Sequence, residues 1–293
     1  MTPAPAADRP SGVGQAFESA RTPADFLAVW LNHRLLSPPS QQIVDDYYRN
    51  FRGLRSPRMR HWYNRQLQEA EAILAEAPGM RVLEIGVGTG TEFLWWAMRG
   101  AQVTGIDAFP HCVRTTAERL DVLQAGIGRT LDCSVRTVPL LTFEDAEGYD
   151  LIWLEQTFHH LEPRAEVVAR IASLLRPGGR VVLSEANALN PLLQLQLLRV
   201  RGLRMTTAVE TDQGRVVWGN ERVLSRGALA RWFHGHGVEQ ESGAYYRVLP
   251  SHPVFEPLFG LERRLSSDWL APLYSHYNFV GRKAGPSARR VQE

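Results

Sequence analysis

Short apolar runs alternate with longer segments of helical periodicity through most of the chain. The runs predict buried strands near 81–86, 102–107, 133–138, 149–155 and 180–185, with two more through 245–249 and 277–280. The intervening segments predict helices near 91–99, 109–125, 163–175 and 225–236. Alternating strands and helices are typical of a parallel sheet covered on both faces. We therefore predict an α/β fold with a doubly wound, mostly parallel seven-stranded sheet.

Other segments predict additions to this core. The predicted division is a disordered tail over 1–22, a helical lid over 23–77, a core over 78–283 with cap insertions at 187–224 and 250–275, and a second tail over 284–293. In open α/β sheets, ligands bind outside the carboxyl ends of the strands. Because the first insertion directly follows the fifth predicted strand, we expect it to cover the active site as a cap.

The first predicted strand runs into a glycine-rich turn at Gly86, Gly88 and Gly90. Glycine has no Cβ, so such a turn lets the backbone approach a nucleotide-like ligand closely. Asp107 ends the second predicted strand, where a carboxylate can accept hydrogen bonds from ribose hydroxyls. A dinucleotide-binding dehydrogenase would place its last glycine where this chain has Thr91, so the spacing argues against that class.

Three motifs together resemble one enzyme family. The phrase E-I-G-x-G-x-G, beginning at Glu84, resembles the first motif of class I S-adenosylmethionine (SAM) dependent methyltransferases. Residues 149–161 are similar to the fourth strand of that family with its His-His-Leu ending, and residues 174–185 to the helix, Pro-Gly-Gly turn and fifth strand that follow. The similarity is greatest to small-molecule methyltransferases related to quinone methylases. It extends over about residues 80–186.

The resemblance implies SAM as cofactor. The expected cofactor-binding residues are Glu84, Gly86, Gly88, Gly90, Asp107, Val138 and Tyr48. Glu84 would lie near the methionine end, Asp107 would hold the ribose, and Tyr48 would contact the cofactor from the lid. Many relatives have an acidic residue after the third strand, facing adenine. This chain has none in the stretch 137–142, so backbone groups near Val138 to Leu140 are expected to replace it, or Asp132 if the register of the third strand differs.

Three residues near the end of the fourth predicted strand are candidates for catalysis: His160, Glu155 and His159. An imidazole titrates near neutral pH and suits a general base, and the family pattern favours His160 over His159. A structural role for His160 stays open. So do three roles for Glu155: contact with SAM, base, or partner of a backbone amide. Because no Asp/Asn set for magnesium is evident, we expect no metal.

The composition limits the partners. The chain is 44% hydrophobic with a net charge of +2, which gives no basic footprint for nucleic acid. It has two cysteines without metal or redox spacing, and it has no signal-peptide pattern or apolar run long enough to span a membrane. We predict a cytoplasmic enzyme with a small-molecule substrate, no nucleic-acid partner and no membrane partner. Homo-oligomerisation stays open.

The predicted function is methyl transfer to a small, mostly apolar metabolite, in bacterial secondary metabolism. Leucines and aromatic residues of the two insertions suggest apolar walls, while Arg199, Arg201, Arg204 and Arg222 leave room for an anionic group. The acceptor atom (O, N or C) stays open. The alternatives are a methyltransferase-fold enzyme that catalyses cyclisation or rearrangement, and a non-catalytic nucleotide-binding module.

Overall fold

The central feature is a seven-stranded sheet in the order β3-β2-β1-β4-β5-β9-β8. The computed structural model describes residues 12–211, 214–265 and 267–285. The strands are β1 Arg81–Ile85, β2 Gln102–Asp107, β3 Cys133–Thr137, β4 Tyr149–Glu155, β5 Leu175–Ala186, β6 Thr206–Thr211, β7 Gly214–Gly219, β8 Val238–Tyr246 and β9 His276–Lys283. Strands β1 to β5 pair in parallel, and β9 is antiparallel to both β5 and β8. The predicted mostly parallel seven-stranded sheet is confirmed.

Helices cover both faces of the sheet. The α-helices are α1 Val13–Ser19, α2 Pro23–Asn32, α3 Pro38–Tyr47, α4 Pro57–Leu74, α5 Thr91–Met98, α6 Pro110–Ile127, α7 Arg164–Leu174, α8 Pro191–Arg201, α9 Arg226–His234 and α10 Phe259–Glu262. Short 3-10 helices span Arg49–Leu54, Leu140–Thr142, Phe158–His160, Pro253–Leu258 and Asp268–Leu273. In the described residues, no helix combines the length and the apolar character needed to cross a membrane.

The predicted disordered tail over 1–22 is partly wrong. Residues 12–22 are ordered, and α1 packs its buried Phe17 against Phe26 and Trp30, with ring centroids 5.5 and 4.8 Å away. Val13 and Phe17 stand four residues apart and therefore face the same side of the helix. The low apolar content obscured this short amphipathic pattern. Residues 1–11 and 286–293 of the two predicted tails lie outside the described residues.

Three further predictions need correction. The sixth strand of the sheet is β8 and not 245–249; its first half was missed because residues 239–242 are polar and exposed at the sheet edge. The first insertion contains the antiparallel hairpin β6–β7, which was not expected. The predicted helix-ending turn at Pro177-Gly178-Gly179 lies inside β5, where the pairing with β4 shifts register; helix α7 has already ended at Leu174.

The strand order reverses between β1 and β4, which are neighbours in the sheet although β2, β3 and helices α5 and α6 lie between them in the chain. The loops that leave these two strands at their carboxyl ends therefore diverge and leave a crevice between them. Both large cavities of the described residues open at this edge of the sheet.

Candidate active site

The first cavity has a volume of about 500 Å³ and lies over the loops that follow β1, β2, β3 and β4. Its walls include Gly86, Gly88, Asp107, Val138 and His160, all expected from the sequence. Most of its remaining wall is apolar, as is usual for a pocket that holds a ring system.

Of the three glycines in the turn after β1, Gly88 is the one at which a ligand in the first cavity can approach the backbone closely. Gly86, Gly88 and Gly90 all have positive φ (76°, 54° and 79°), a conformation that other residues adopt at a cost. A Cβ on Gly88, at the wall of the first cavity, would meet the Tyr47 hydroxyl at 3.4 Å and the Tyr47 ring at 3.5 Å, which are ordinary contacts. A Cβ on Gly86 or Gly90 would instead collide with Thr157 or Thr116 at 2.4 Å.

The predicted cofactor contact of Gly90 therefore needs correction. Gly90 caps the N-terminus of α5, lies against Thr116 of α6 and does not line either cavity. Its missing side chain allows helix α6 to pack on the turn. Sequence spacing alone does not separate a glycine that faces a ligand from one that faces a helix.

Asp107 is held rigidly at the cavity wall. Its two carboxylate oxygens accept backbone hydrogen bonds from Phe109 at 2.9 Å and from Gly88 at 3.0 Å. Burial raises the pKa of Asp107, and these two amides oppose that rise. Each oxygen retains a further lone pair, so the carboxylate can still accept two hydroxyl groups.

Glu84 lies beneath the glycine turn, is 3% exposed and, like Gly90, does not line either cavity. Its Oε2 atom has no hydrogen-bond partner among the described residues. Burial and the nearby carboxylates of Glu92 and Glu155 raise the pKa of Glu84 well above its usual range. A buried carboxyl oxygen without a partner is costly, so the position is suited to a cationic ligand group.

The hairpin β6–β7 closes the other side of the first cavity. Trp218 lies 5.4 Å from the ring of Phe109 and stacks on His160 at 4.2 Å. Val138 lines the cavity, but its N–H donates to the Asp107 carbonyl at 2.9 Å. Any contact that Val138 makes to a ligand must therefore come from its side chain or its carbonyl. Trp218 belongs to the insertion whose aromatic residues were expected to form apolar walls, whereas Phe109 was not singled out from the sequence.

The second cavity, of about 690 Å³, adjoins the first. Tyr47 and Gln156 line both. Its apolar walls are Phe51, Met59, Leu192, Leu193, Val248 and Leu249. Tyr48 also lines it, with its hydroxyl donating to Thr91 Oγ1 at 2.6 Å. The lid, the first insertion and the second insertion thus contribute walls to one space.

Glu155 is the expected catalytic candidate that lies in this second cavity. Burial and the adjacent carboxylates of Glu92 and Glu185 raise its pKa well above the usual range. The other acidic residue of this cavity, Glu92, accepts a hydrogen bond from the Tyr63 hydroxyl at 2.5 Å. A cavity carboxyl with a raised pKa is typical of a group that transfers protons in catalysis.

The two histidines lie elsewhere. His159 is 4% exposed, and its Nδ1 contacts Glu185 Oε2 at 2.6 Å. Burial opposes its charge, but Glu185 outweighs burial and raises the pKa of His159. His160 faces the first cavity, and burial together with the charge of His159 lowers the pKa of His160. The structure therefore keeps the two histidines together beside the first cavity and places Glu155 in the second.

Sequence reasoning missed two residues of the cavities. Gln156 has φ of 45°, a strained value for a side chain of its size, and it stands where the cavities meet. Arg247, with φ of 61°, lines the second cavity and has no ion-pair partner among the described residues. The position of Gln156 directly after β4 was a usable signal. Arg247 gave no such signal, because it was placed inside a predicted strand over 245–249, whereas β8 ends at Tyr246.

The arginines that the sequence suggested for an anionic group do not fill this role. Arg222 pairs with Glu162 at 2.5 Å, on the loop that carries the histidines. The cavity itself is not lined by Arg199, Arg201 or Arg204.

Comparison with known proteins gives a consistent result. A family model described as a methyltransferase domain matches residues 51–242. The chain belongs to this methyltransferase family. The predicted class I SAM-dependent methyltransferase family and its cofactor SAM are thereby confirmed.

Curated relatives match over the motif-bearing part of the chain. The ubiquinone biosynthesis O-methyltransferase of Xanthomonas axonopodis pv. citri is 36% identical over 112 residues, which are 38% of this chain and 45% of the relative. The ubiquinone biosynthesis O-methyltransferase of Aeromonas salmonicida is 34% identical over 120 residues, which are 41% of this chain and 48% of the relative. The chain thus matches less than half the length of these relatives.

Solved structures share the fold over a longer span. The magnesium protoporphyrin IX methyltransferase of Synechocystis, solved with S-adenosylhomocysteine, has a TM-score of 0.52 at 16% identity, covering 83% of this chain and 100% of its own. The N-methyltransferase NodS of Bradyrhizobium japonicum has a TM-score of 0.50 at 16% identity, covering 78% and 89%. At such identity the likeness shows the fold alone.

Proposed function

We propose that this protein transfers a methyl group from SAM to a small acceptor with an apolar body and an anionic group. The observation that carries the proposal is the junction of the two cavities at Tyr47 and Gln156. A cofactor in the first cavity and an acceptor in the second would meet there, and proximity of the reacting groups is the main demand of this reaction.

In this proposal, three residues of the first cavity region hold the cofactor. The carboxylate of Asp107 accepts the ribose hydroxyls, and Gly88 allows the chain to pass close by. The unpartnered Oε2 of Glu84 faces the ammonium of the methionine part, directly or through water. When bound, SAM supplies a methyl group already activated on a sulfonium.

The second cavity supports the choice of acceptor. Its leucines and aromatic residues suit an apolar body, while the half-buried guanidinium of Arg247 suits a carboxylate or phosphate. His276 lies beside it, and burial and the charge of Arg247 lower the pKa of His276 to about 3. His276 is therefore neutral near pH 7, which leaves Arg247 as the cationic group of this wall.

The relatives favour oxygen as the acceptor atom, since their names describe O-methyltransferases of ubiquinone biosynthesis. We extend this to a hydroxylated aromatic acid. Two acidic side chains, Glu92 and Glu155, line the second cavity, and Glu92 already accepts a hydrogen bond from Tyr63. Glu155 would therefore take the proton of the reacting hydroxyl.

The experiment compares a dihydroxybenzoic acid with its uncharged methyl ester as acceptors, with transfer followed by mass spectrometry. The wild type should prefer the acid. Arg247→Gln should lower kcat/KM for the acid by about 10-fold or more, since a hydrogen bond to a charged group contributes about 1.5–3 kcal/mol. It should leave the ester nearly unaffected. Arg264→Gln, at an exposed arginine outside both cavities, is the matched control.

Equal use of acid and ester by both proteins would refute the role of Arg247. Binding of SAM without its consumption, in the presence of any acceptor, would instead favour an enzyme of altered chemistry or a binding module.

A further inference from the structure

Two histidines and a glutamate form a cluster that the proposed reaction does not use as a unit. His159 and His160 stand on the loop after β4, and Glu221 stands just after the hairpin β6–β7 of the first insertion. His159 Nε2 lies 3.5 Å from Glu221 Oε2, and His160 Nε2 lies 3.8 Å from Glu221 Oε1. One ligand atom from each residue lies within 4.8 Å of the others.

Both imidazoles are oriented by an acceptor on their far side. His159 Nδ1 contacts Glu185 Oε2 at 2.6 Å, and His160 Nδ1 contacts the Gly219 carbonyl at 2.9 Å. A carbonyl can only accept, so Nδ1 of His160 carries the proton and its Nε2 presents a lone pair. An acceptor behind each imidazole is the usual arrangement around a metal-binding histidine.

The backbone of Glu221 is held in a strained conformation. Its φ is 50°, a left-handed conformation that a glutamate adopts only when its surroundings require it. The turn before it is pressed onto the histidine loop: a Cβ on Gly219 would lie 2.5 Å from the His159 carbonyl, and Arg222 N–H donates to that carbonyl at 3.2 Å. This docking keeps the carboxylate facing both Nε2 atoms.

We propose that His159, His160 and Glu221 bind one divalent transition-metal ion of the zinc type. Two imidazoles and one carboxylate suit zinc, whereas magnesium and calcium prefer oxygen ligands. Bond lengths of about 2.0–2.2 Å place tetrahedral ligand atoms about 3.3 Å apart, close to the two separations observed here. The carboxylates of Glu221 and Glu185 together offset the charge of the ion. This proposal differs from the sequence-based expectation of no metal.

The ion would connect the first insertion to the core beside the first cavity. Glu221 belongs to the insertion, both histidines belong to the core, and His160 lines the cavity together with Trp218 of the hairpin. Metal binding therefore fastens the hairpin over the cofactor site. The fourth coordination position remains for water.

The test uses Co²⁺ alone as a probe, added to the full chain after dialysis against a chelator. The wild type should show visible d–d absorption that saturates at one equivalent and disappears when Zn²⁺ is added. Glu221→Gln should weaken Co²⁺ binding by at least about 10-fold, since even the loss of an outer partner of a metal ligand has that effect. Because Glu221 is partly exposed, this variant should keep the wild-type circular dichroism spectrum.

The matched control is His234→Gln, which alters an exposed histidine paired with Glu239 at 2.9 Å. It should bind Co²⁺ as the wild type does. A second readout is hydrogen exchange, which should slow over residues 214–224 when Zn²⁺ is added to the wild type. Absence of stoichiometric Co²⁺ absorption in the wild type, or equal binding by Glu221→Gln, would overturn the proposal.

Discussion

The two cavities share Tyr47 and Gln156, yet they are constructed in opposite ways. The first is built largely from backbone turns that follow β1, β2, β3 and β4. The second gathers side chains from the lid, the end of β4, the helix α8, the segment after β8 and the start of β9. Turns need particular residues at a fixed spacing, and a wall of side chains does not. The comparison explains why several wall residues of the first cavity could be predicted from the sequence, whereas most of those of the second could not.

The largest expected effect tests the chemistry of the second cavity. Glu155→Gln should lower kcat by about 100-fold or more, within the usual range for loss of a general base. As a base, Glu155 acts when deprotonated, and its pKa is raised, so the wild-type rate should climb as the pH rises through that pKa. The variant should lose this dependence. Normal turnover by Glu155→Gln would direct attention to His160 in the first cavity.

A second variant tests whether the acceptor cavity depends on contacts far from it in the chain. Glu262 accepts hydrogen bonds from Arg58, at 2.5 Å, and from the backbone of Val248 and Leu249. Glu262→Gln leaves a buried guanidinium without its charge partner, so the free energy of unfolding should fall by about 3 kcal/mol. Urea denaturation measures this, with Glu239→Gln at the surface as control. A decrease of less than about 1 kcal/mol in the free energy of unfolding would mean that the Arg58–Glu262 pair contributes little to stability.

The first cavity is tested by Asp107→Ala. Two hydrogen bonds from ribose to a carboxylate are lost, each contributing at least about 1.5 kcal/mol, so affinity for S-adenosylhomocysteine should fall by about 100-fold. Calorimetry measures the change, and Asp132→Ala, exposed beyond the cavity, serves as control. Unchanged affinity would contradict the ribose role of Asp107.

A smaller effect distinguishes two reasons for glycine at position 88: close approach of the cofactor to the backbone, and the positive φ of the backbone itself. Gly88→Ala and Gly79→Ala both place a Cβ at positive φ, but the Gly79 Cβ would meet nothing within 4 Å. Both should lose about 1 kcal/mol of stability. Gly88→Ala alone should also weaken S-adenosylhomocysteine binding, by about 10-fold or 1.4 kcal/mol. If both variants bind equally, close approach at Gly88 is not needed.

The smallest expected effect concerns the proposed lid. Tyr47 ends α3 and lines both cavities, so S-adenosylhomocysteine should slow hydrogen exchange over residues 38–54. Helix α9, which packs on the far part of the sheet, is the internal reference. Unchanged exchange over 38–54 would favour a lid that only packs on the core.

The sequence by itself determined the sheet, the glycine turn with its Asp107, and the enzyme family. These follow from local rules: apolar periodicity selects strands, and a turn against a nucleotide requires glycine at set positions. Glu84 was also named from sequence, although its unpartnered oxygen became evident only in the buried site.

Only the tertiary structure decided which side chains face which space. Gly90 faces helix α6, His159 faces Glu185, and Glu155 faces the acceptor cavity, although the sequence grouped each with residues of a different role. Arg247 and Glu221 come from segments whose placement depends on long-range packing. Their functions arise from neighbours distant in the chain, and no local pattern of residues encodes such neighbours.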